Sequence, residues 1–277
     1  MKLLVSVPAS IANLGSGFDT FGLAIDLRNE VEIEYDTELS IIEKGIKVEG
    51  EDLFFKTFKE VMESNGIDWR YKIRKISMIP PQKGLGSSAA SIILGIATAM
   101  EINRNFSRQK IFEMATKIEG HPDNVAASVF GGFTVSAHLK SGYSAVSMEP
   151  MCREITIVIP PFSTSTKEAR KILPKMVPLE DAVFNLQRAT MVLANYRDRR
   201  MLQEFFEDKL HQDLRLSLHP ELKAFFEETK SKVEDPIFLC GSGTAIAIMG
   251  PHDITVPQGW QLLHKKTSIE GIIVRYL

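Results

Sequence analysis

This sequence predicts an α+β fold in two parts, and three observations carry the prediction. The first half opens with short apolar and alternating runs that read as strands, then mixes helix and strand signals. The second half reads strand, helices, strand, strand, helix, strand, the order of a split βαβ, ferredoxin-like unit. At 277 residues the chain has room for one large domain or two ordinary ones, and the stretch Ser141 to Cys152 separates the two patterns. The expected division is 1–150 and 151–277.

Leu3 to Val7 is a short apolar strand. Phe21 to Leu27 and Val31 to Tyr35 are strands flanking a polar turn at Arg28-Asn29-Glu30. In the second of them Val31, Ile33 and Tyr35 alternate with Glu32 and Glu34. A helix from about Leu53 to Ser64 ends near Asn65-Gly66. Tyr71 to Ile79 is a strand that stops at Pro80. The helix that comes next carries the stripe Ala89, Ile92, Ile93, Ile96, Ala97 and Met100, at i, i+3, i+4, i+7 spacing. Another helix begins at the N-cap Ser107 and stops at Gly120, with Ile111, Met114, Ala115 and Ile118 as its stripe. In the second half Ile155 to Ile159 is a strand, and helices lie at about Asp181 to Asn195, Arg199 to Glu207 and His219 to Lys230. Ile237 to Cys240 and Ala245 to Met249 are short strands joined by Gly241-Ser242-Gly243. Pro257 to Lys266 reads as a helix and Ile269 to Val274 as a last strand.

Hydrophobic residues make up 44% and charged residues 25%, an ordinary globular balance. A formal net charge of -2 gives no reason to expect nucleic acid or an anionic membrane as a partner. A polyanionic small molecule needs only a local nest of N–H groups. Cys152 and Cys240 form no CxxC, and no Cys/His cluster has zinc spacing, which fits a reducing cytosol. No run approaches transmembrane length, and Met1 to Val7 is too short for a signal-peptide core. The expected location is cytoplasmic.

The chemistry concentrates in four segments. Pro80 to Ser91 places small residues where the chain enters a helix, and first-turn N–H groups have no intrahelical partner. With the positive end of the macrodipole, such donors bind anions, phosphate above all. Gly84 and Gly86 permit close backbone approach, and Ser88 can reach a metal ion held by phosphates. This is not a Walker A loop, because Lys83 precedes the glycines. A Gly-Ser turn capping a buried helix is the plain alternative. In the second segment, Pro8 to Asp19, Asn13 offers a donor and an acceptor and Asp19 a carboxylate. Both side chains also suit a turn's own backbone. The third, Glu119-Gly120-His121-Pro122-Asp123-Asn124, packs two carboxylates, an imidazole and an amide into six residues. Glu113 lies upstream of it, off the apolar stripe. The fourth, Gly241-Ser242-Gly243-Thr244, is a hairpin turn or a second glycine-rich loop closing a phosphate site.

Together these segments resemble the GHMP small-molecule kinases, named for galactokinase, homoserine kinase, mevalonate kinase and phosphomevalonate kinase. Pro80 to Ser91 is similar to that family's ATP-phosphate motif, Pro8 to Asp19 to its first motif, and Leu239 to Ala245 to its third. Within the family, Ser10 to Asp19, Glu119 to Asn124, Thr166 to Arg170 with Leu173-Pro174, and Leu210 to Arg215 are most similar to homoserine kinase segments. The resemblance implies a ribosomal-protein-S5-domain-2-like N-terminal domain and a ferredoxin-like C-terminal domain. It implies ATP and Mg²⁺, with L-homoserine phosphorylated on its side-chain hydroxyl on the way to threonine.

The resemblance also implies roles. Pro80, Pro81, Gln82, Lys83, Gly84, Leu85, Gly86, Ser87, Ser88 and Ala89 would bind the ATP phosphates. Ser88 and Glu113 would hold Mg²⁺. Asn13, Asp19, His121, Asn124, Arg170 and Arg215 would bind the amino acid, with Asp19 on its ammonium and an arginine fork on its carboxylate. Asn124 and Asp19 are the expected catalytic pair, Asn124 beside the reacting hydroxyl. Mevalonate-type relatives carry Asp at the position of Asn124. An amide cannot accept a proton as a carboxylate can, so alignment and electrostatics are expected to do the work without a side-chain base. Asp123, adjacent in the chain, is the residue able to overturn that.

Gln82 stands where many relatives have Gly, and Thr244 where the third motif usually has Pro. Glu51 to Lys56 matches the base-contacting stretch only loosely, so base contacts stay open. The alternatives are a GHMP kinase for another small alcohol and a non-catalytic nucleotide- or RNA-binding module. Near-neutral charge and 8% aromatic residues speak against the module. The oligomeric state is left open, a homodimer included.

Overall fold

In this computed structural model, residues 2–36, 38–44, 46–47, 52–196 and 201–277 are described. Two strands set the frame. β1 (Lys2–Ala12) pairs antiparallel with β2 (Phe21–Tyr35) along its whole length, from Lys2↔Glu34 to Ala12↔Gly22. The register shifts between Pro8 and Ala9, where the missing proline N–H is best tolerated. β2 runs without interruption through Arg28-Asn29-Glu30, where the sequence predicts a turn. The polar side chains there are satisfied from outside the strand. Asn29 Oδ1 accepts from the amides of Met78 (2.8 Å) and Ile79 (3.0 Å), and Arg28 donates to Ser6 and to the Gly271 carbonyl.

Also in this sheet are β3 (Ser40–Glu43), β4 (Ile46–Lys47), β5 (Tyr71–Ile76), β6 (Phe133–Leu139) and β7 (Gly142–Met148). β5 pairs with the second half of β2 and β6 with its first residues, and β7 pairs with β6 in a hairpin. The second sheet is built by β8 (Glu154–Ile159), β9 (Ile237–Leu239), β10 (Ile246–Met249) and β11 (Gln261–Lys266), in the order β11-β8-β10-β9, all antiparallel. The expected helix at Pro257 to Lys266 is thus strand β11. Leu262 packs into one core and Leu263 into another, the alternation of a strand. The last strand, β12 (Ile273–Tyr276), leaves this sheet and pairs with β1 at the edge of the first.

Four helices cover the first sheet: α1 (Leu53–Ser64), α2 (Ser87–Ile102), α3 (Arg108–Glu119) and α4 (Asp123–Phe130). Asp52 caps α1 by accepting from the Phe55 amide, Ser107 caps α3, and Gly120 ends α3 at φ +91°. The buried face of α3 is Ile111, Phe112, Ala115 and Thr116, while the expected stripe members Met114 and Ile118 are exposed. α2 is buried on nearly every side, as expected of a helix so uniformly apolar. The second half of the chain adds α5 (Thr166–Lys171), α6 (Leu179–Ala194), α7 (Gln212–Leu216) and α8 (Pro220–Lys230); α7 and α8 pack on the second sheet, and Val192 of α6 joins the core of the first. The expected helix from Arg199 to Glu207 begins outside the described residues, and its described part is a single 3₁₀ turn at Gln203–Phe206.

The two sheets share one core. Ile155, Ile157 and Ile159 of β8 and Phe238 of β9 join the core of the first sheet. Val158, Ile237, Leu239, Ile246 and Ile248 face a second core with Leu216, Leu222 and Phe226. The seam between the sheets brings residues 80–86 against residues 240–245. The Ala245 amide donates to the Lys83 carbonyl (3.0 Å) and the Gly241 amide to that of Ala12 (3.2 Å). The Lys83 ammonium donates to the carbonyls of Pro160 (2.8 Å), Pro161 (3.2 Å) and Phe162. Gly84, at φ +77°, has no room for a side chain, since a Cβ would lie 1.9 Å from the Cys240 carbonyl oxygen.

Gly84→Ala combines a left-handed backbone with that overlap, so it should cost about 2–4 kcal/mol. Gly120, whose Cβ would meet nothing within 4 Å, is the control, and Gly120→Asn should cost under about 1 kcal/mol. Urea midpoints at unchanged slope measure both.

Candidate active site

A polar cleft opens on this seam. It is bounded by the N-terminus of α2, the loop after β1, the N-terminus of α4, α5 and the turn at Gly241-Ser242. The chain enters α2 through Gly86 at φ +69°, and no side chain caps the helix. Its first-turn N–H groups therefore face the cleft without side-chain partners, an anion site in the ordinary sense. Gly86 has to be glycine here, because a Cβ would lie 2.3 Å from Ser10 Oγ.

Beside that terminus Ser88 Oγ donates to Glu119 Oε2 (2.8 Å). Glu119 is the last residue of α3. Glu113, expected to share a metal with Ser88, does not line the cleft and instead accepts from Gln109 Nε2 (2.8 Å). Positions six apart on a helix are separated by about 9 Å along its axis and about 120° around it, so one helix cannot offer both carboxylates to Ser88. Among the described residues no group of three or more His, Cys, Asp or Glu gathers as a metal cage. A hydroxyl and one carboxylate beside a phosphate site is nevertheless a donor set that suits Mg²⁺, which keeps waters and binds substrate oxygens.

The run after Gly120 folds back into the cleft. Asp123 Oδ1 accepts from the Asn124 amide (2.7 Å) and lies 2.9 Å from His121 Nδ1. Burial opposes protonation of His121, but the bond to Asp123 and its charge outweigh burial and lift the imidazole above its ordinary value. The Asn124 side chain is oriented from below. Ser128 Oγ donates to Ser10 Oγ (3.0 Å), which donates to Asn124 Oδ1 (3.0 Å). Among the described residues none engages its Nδ2, which can act as a donor.

Charge is paired across the cleft. Arg170 of α5 makes a bidentate pair with Asp19, Nη1 to Oδ2 at 3.0 Å and Nη2 to Oδ1 at 2.6 Å. Asn13, at φ +72°, accepts the Asp19 amide (3.0 Å) and donates to the Gly241 carbonyl (3.1 Å), so it serves the loop as well as lining the cleft. Arg215 of α7 is buried and donates from Nη1 to the Gly241 carbonyl (2.8 Å). Burial first, and then the charge of Arg170, pushes its guanidinium down to about 10.

Residues 52–132 match the family described as the GHMP kinases N terminal domain. The chain is 38% identical to the homoserine kinase of Thermotoga petrophila over 99% of both chains. It is 36% identical to that of Aquifex aeolicus over 87% of this chain and 84% of the other. The chain belongs to the homoserine kinase family. Solved structures share its fold. One is the homoserine kinase of Cytophaga hutchinsonii, with a TM-score of 0.82 at 22% identity over 99% and 97% of the two chains. Another is a mevalonate kinase, with a TM-score of 0.66 at 17% identity over 96% and 99%.

Of the residues expected in the site of a homoserine kinase, Gln82, Gly84, Leu85, Gly86, Ser87 and Ser88 line the cleft, together with Asn13, Asp19, His121, Asn124, Arg170 and Arg215. Pro80, Pro81, Lys83 and Ala89 do not. Lys83 is turned toward the carbonyls of 160–162, and Ala89 is wholly in the core. The cleft also contains Glu119, Asp123, Thr166 and Ser242. Glu119 and Asp123 are visible in the sequence as carboxylates of one six-residue run. Ser10 carries no such signal, since its partners are 114 and 118 residues away.

The Asp19–Arg170 pair is about one-third exposed on each side, 34% and 37%, so its worth for folding is small. Asp19→Asn and Arg170→Lys should each cost no more than about 1 kcal/mol in urea unfolding. Asp208, fully enclosed with the amides of His211 and Gln212 and the Asn185 side chain on its oxygens, should cost about 2–4 kcal/mol as Asp208→Asn.

Proposed function

We propose that this chain is a homoserine kinase, transferring the γ-phosphoryl group of ATP to the side-chain hydroxyl of L-homoserine to give ADP and O-phospho-L-homoserine. The observation that carries the reading is the juxtaposition in one cleft of an uncapped helix N-terminus with Asp19, Arg170 and Arg215. The first suits phosphate. The second set offers both charges that a free amino acid needs, a carboxylate for its ammonium and guanidinium groups for its carboxylate. The likeness to homoserine kinases at 36–38% identity supports the same acceptor.

In this reading the amides from Gly84 to Ser88 cradle the ATP phosphates. Ser88 Oγ and a Glu119 oxygen would hold Mg²⁺, which when bound neutralises phosphate charge. Arg170 lets go of Asp19 as the substrate enters, and the two side chains take its carboxylate and ammonium. Asn124 Nδ2 donates to the acceptor hydroxyl and aligns it. The hydroxyl oxygen forms the new bond to the γ-phosphorus, the bond from that phosphorus to the ADP oxygen breaks, and the hydroxyl proton ends in solvent. No carboxylate is required as a base. Asp123 Oδ1 is already engaged by His121 and the Asn124 amide, which suits a residue that holds its neighbours. Positioning and electrostatics are sufficient for a loose phosphoryl transition state.

ADP release with ATP and Mg²⁺ should be seen with L-homoserine, and far less with L-serine, L-threonine or mevalonate. Turnover confined to mevalonate or another alcohol would sink the substrate reading, and no turnover with any of them in folded protein would sink the kinase reading. Glu119→Gln should lower kcat by about 10²–10³, whereas Glu113→Gln should leave it within about twofold. The reverse pattern would restore Glu113 to the metal.

A further inference from the structure

His211 takes no part in the chemistry proposed above, yet it is almost completely enclosed beside the cleft, only 1% exposed. Its ring stacks on Phe18, with centroids 5.1 Å apart at 25°. The same Phe18 ring carries the guanidinium of Arg215 at 5.3 Å and that of Arg170 at 5.9 Å. Both ring nitrogens have partners, and the partners fix the tautomer. Nε2 is 3.0 Å from the Gly15 carbonyl oxygen, which can only accept, so Nε2 carries the hydrogen. Nδ1 is 3.2 Å from Arg215 Nη1, which can only donate, so Nδ1 is bare. The ring is therefore neutral and in a single tautomer.

The groups facing it agree with this. Arg215 opposes a charged ring. Asp208 Oδ1, 3.8 Å from Nε2, would favour one, but its oxygens are already taken by two amides and Asn185. Asp19, more distant, also favours charge, and burial outweighs both, so the imidazole is held below its ordinary value.

Arg215 itself is gripped from behind. Nη1 donates to His211 Nδ1 and to the Gly241 carbonyl, and Nε to that of Ala169 (3.4 Å). Its Nη2 is engaged by no described residue, and the side chain lines the cleft. We infer that His211 is a positioning residue, whose bare Nδ1 holds the Arg215 guanidinium so that Nη2 meets the carboxylate of the amino-acid substrate. This rests on the homoserine kinase reading for the identity of that substrate.

Two isosteric variants separate the two halves of the ring. His211→Asn keeps an acceptor near Nδ1 and loses the donor to Gly15. His211→Gln keeps a donor near Nε2 and loses the acceptor. The expected result is a KM for homoserine raised about tenfold or more in the Gln variant and within about threefold in the Asn variant, with KM for ATP and kcat little changed in both. Equal effects in the two variants, or KM values for both substrates moving together with the melting temperature, would reduce His211 to packing and overturn the inference. A wild type that does not turn over homoserine fails the functional reading. A wild type that does, with an unaltered Gln variant, fails this one. Should the variants not fold, ¹⁵N spectra of the wild-type imidazole decide. The neutral Nε2–H tautomer at pH 7, protonated only below the ordinary imidazole value of 6.5, is expected, and an Nδ1–H or charged ring refutes it.

Discussion

The closeness of two backbones at Gly84 and Cys240 governs this molecule. A glycine held this near a carbonyl can take a side chain only if one of the two backbones moves, and the cleft opens on this seam. The loop of residues 80–86 follows a strand of the first sheet and the Gly241-Ser242 turn joins two strands of the second. Because Ala245, Gly241 and Lys83 stitch the two together by main-chain and ammonium bonds, the arginines of α5 and α7 are held at a fixed distance from the N-terminus of α2. Lys83 illustrates the division of labour. Its charge is taken up by the three carbonyls of residues 160–162, just after β8, so it builds the seam, and in the proposed function phosphate is left to uncharged amides.

In the proposed function, that arrangement lets a nearly neutral chain handle a nucleotide and a zwitterion. The anion site uses helix-terminal N–H groups, which add nothing to the formal charge. The amino-acid side uses charges that cancel one another in the free protein, Arg170 on Asp19. A bidentate pair this exposed contributes little to folding, so exchanging it for a substrate's own ammonium and carboxylate costs little. Arg215 is different. It is buried, stacked on Phe18 and held by carbonyls, and it offers one fixed donor where Arg170 offers a movable fork.

How much can be read from the sequence depends on the range of the interactions. α1 and α3 are legible to the residue, because Asp52, Ser107 and Gly120 act on backbone within four positions. The α+β class and the cleft's two loops are legible because glycines and small residues mark close approach wherever they cluster. The turn expected at Arg28-Asn29-Glu30 fails because Asn29 is satisfied by amides some fifty residues on. The strand β11 reads as a helix because a six-residue segment with only two apolar residues, Leu262 and Leu263, carries too few periods to tell 2 from 3.6. Glu113 and Glu119 both precede His121 on one helix, and only the position of Ser88, set by the whole of α2, distinguishes them, since Ser88 donates to Glu119 while Glu113 accepts from Gln109.

The same logic of range bears on Asn124. An amide at a reacting centre is useful only if its donor end points at the substrate, and an Asn can flip at almost no cost in volume. Here a chain of hydroxyls, Ser128 to Ser10 to Asn124 Oδ1, that starts on α4 and passes through β1, donates to the oxygen and favours the orientation in which the nitrogen is the free donor. A flipped amide would require both hydroxyls to reverse their donors, and would turn an acceptor toward the acceptor oxygen of the substrate. Asp123 reinforces the arrangement from the other side by holding the Asn124 amide and His121. Three short polar side chains thus supply an orientation that a catalytic carboxylate, symmetric in its two oxygens, would not need. In the proposed function the site works by alignment, and that alignment depends on Ser10 and Ser128, which stand behind Asn124 and do not line the cleft.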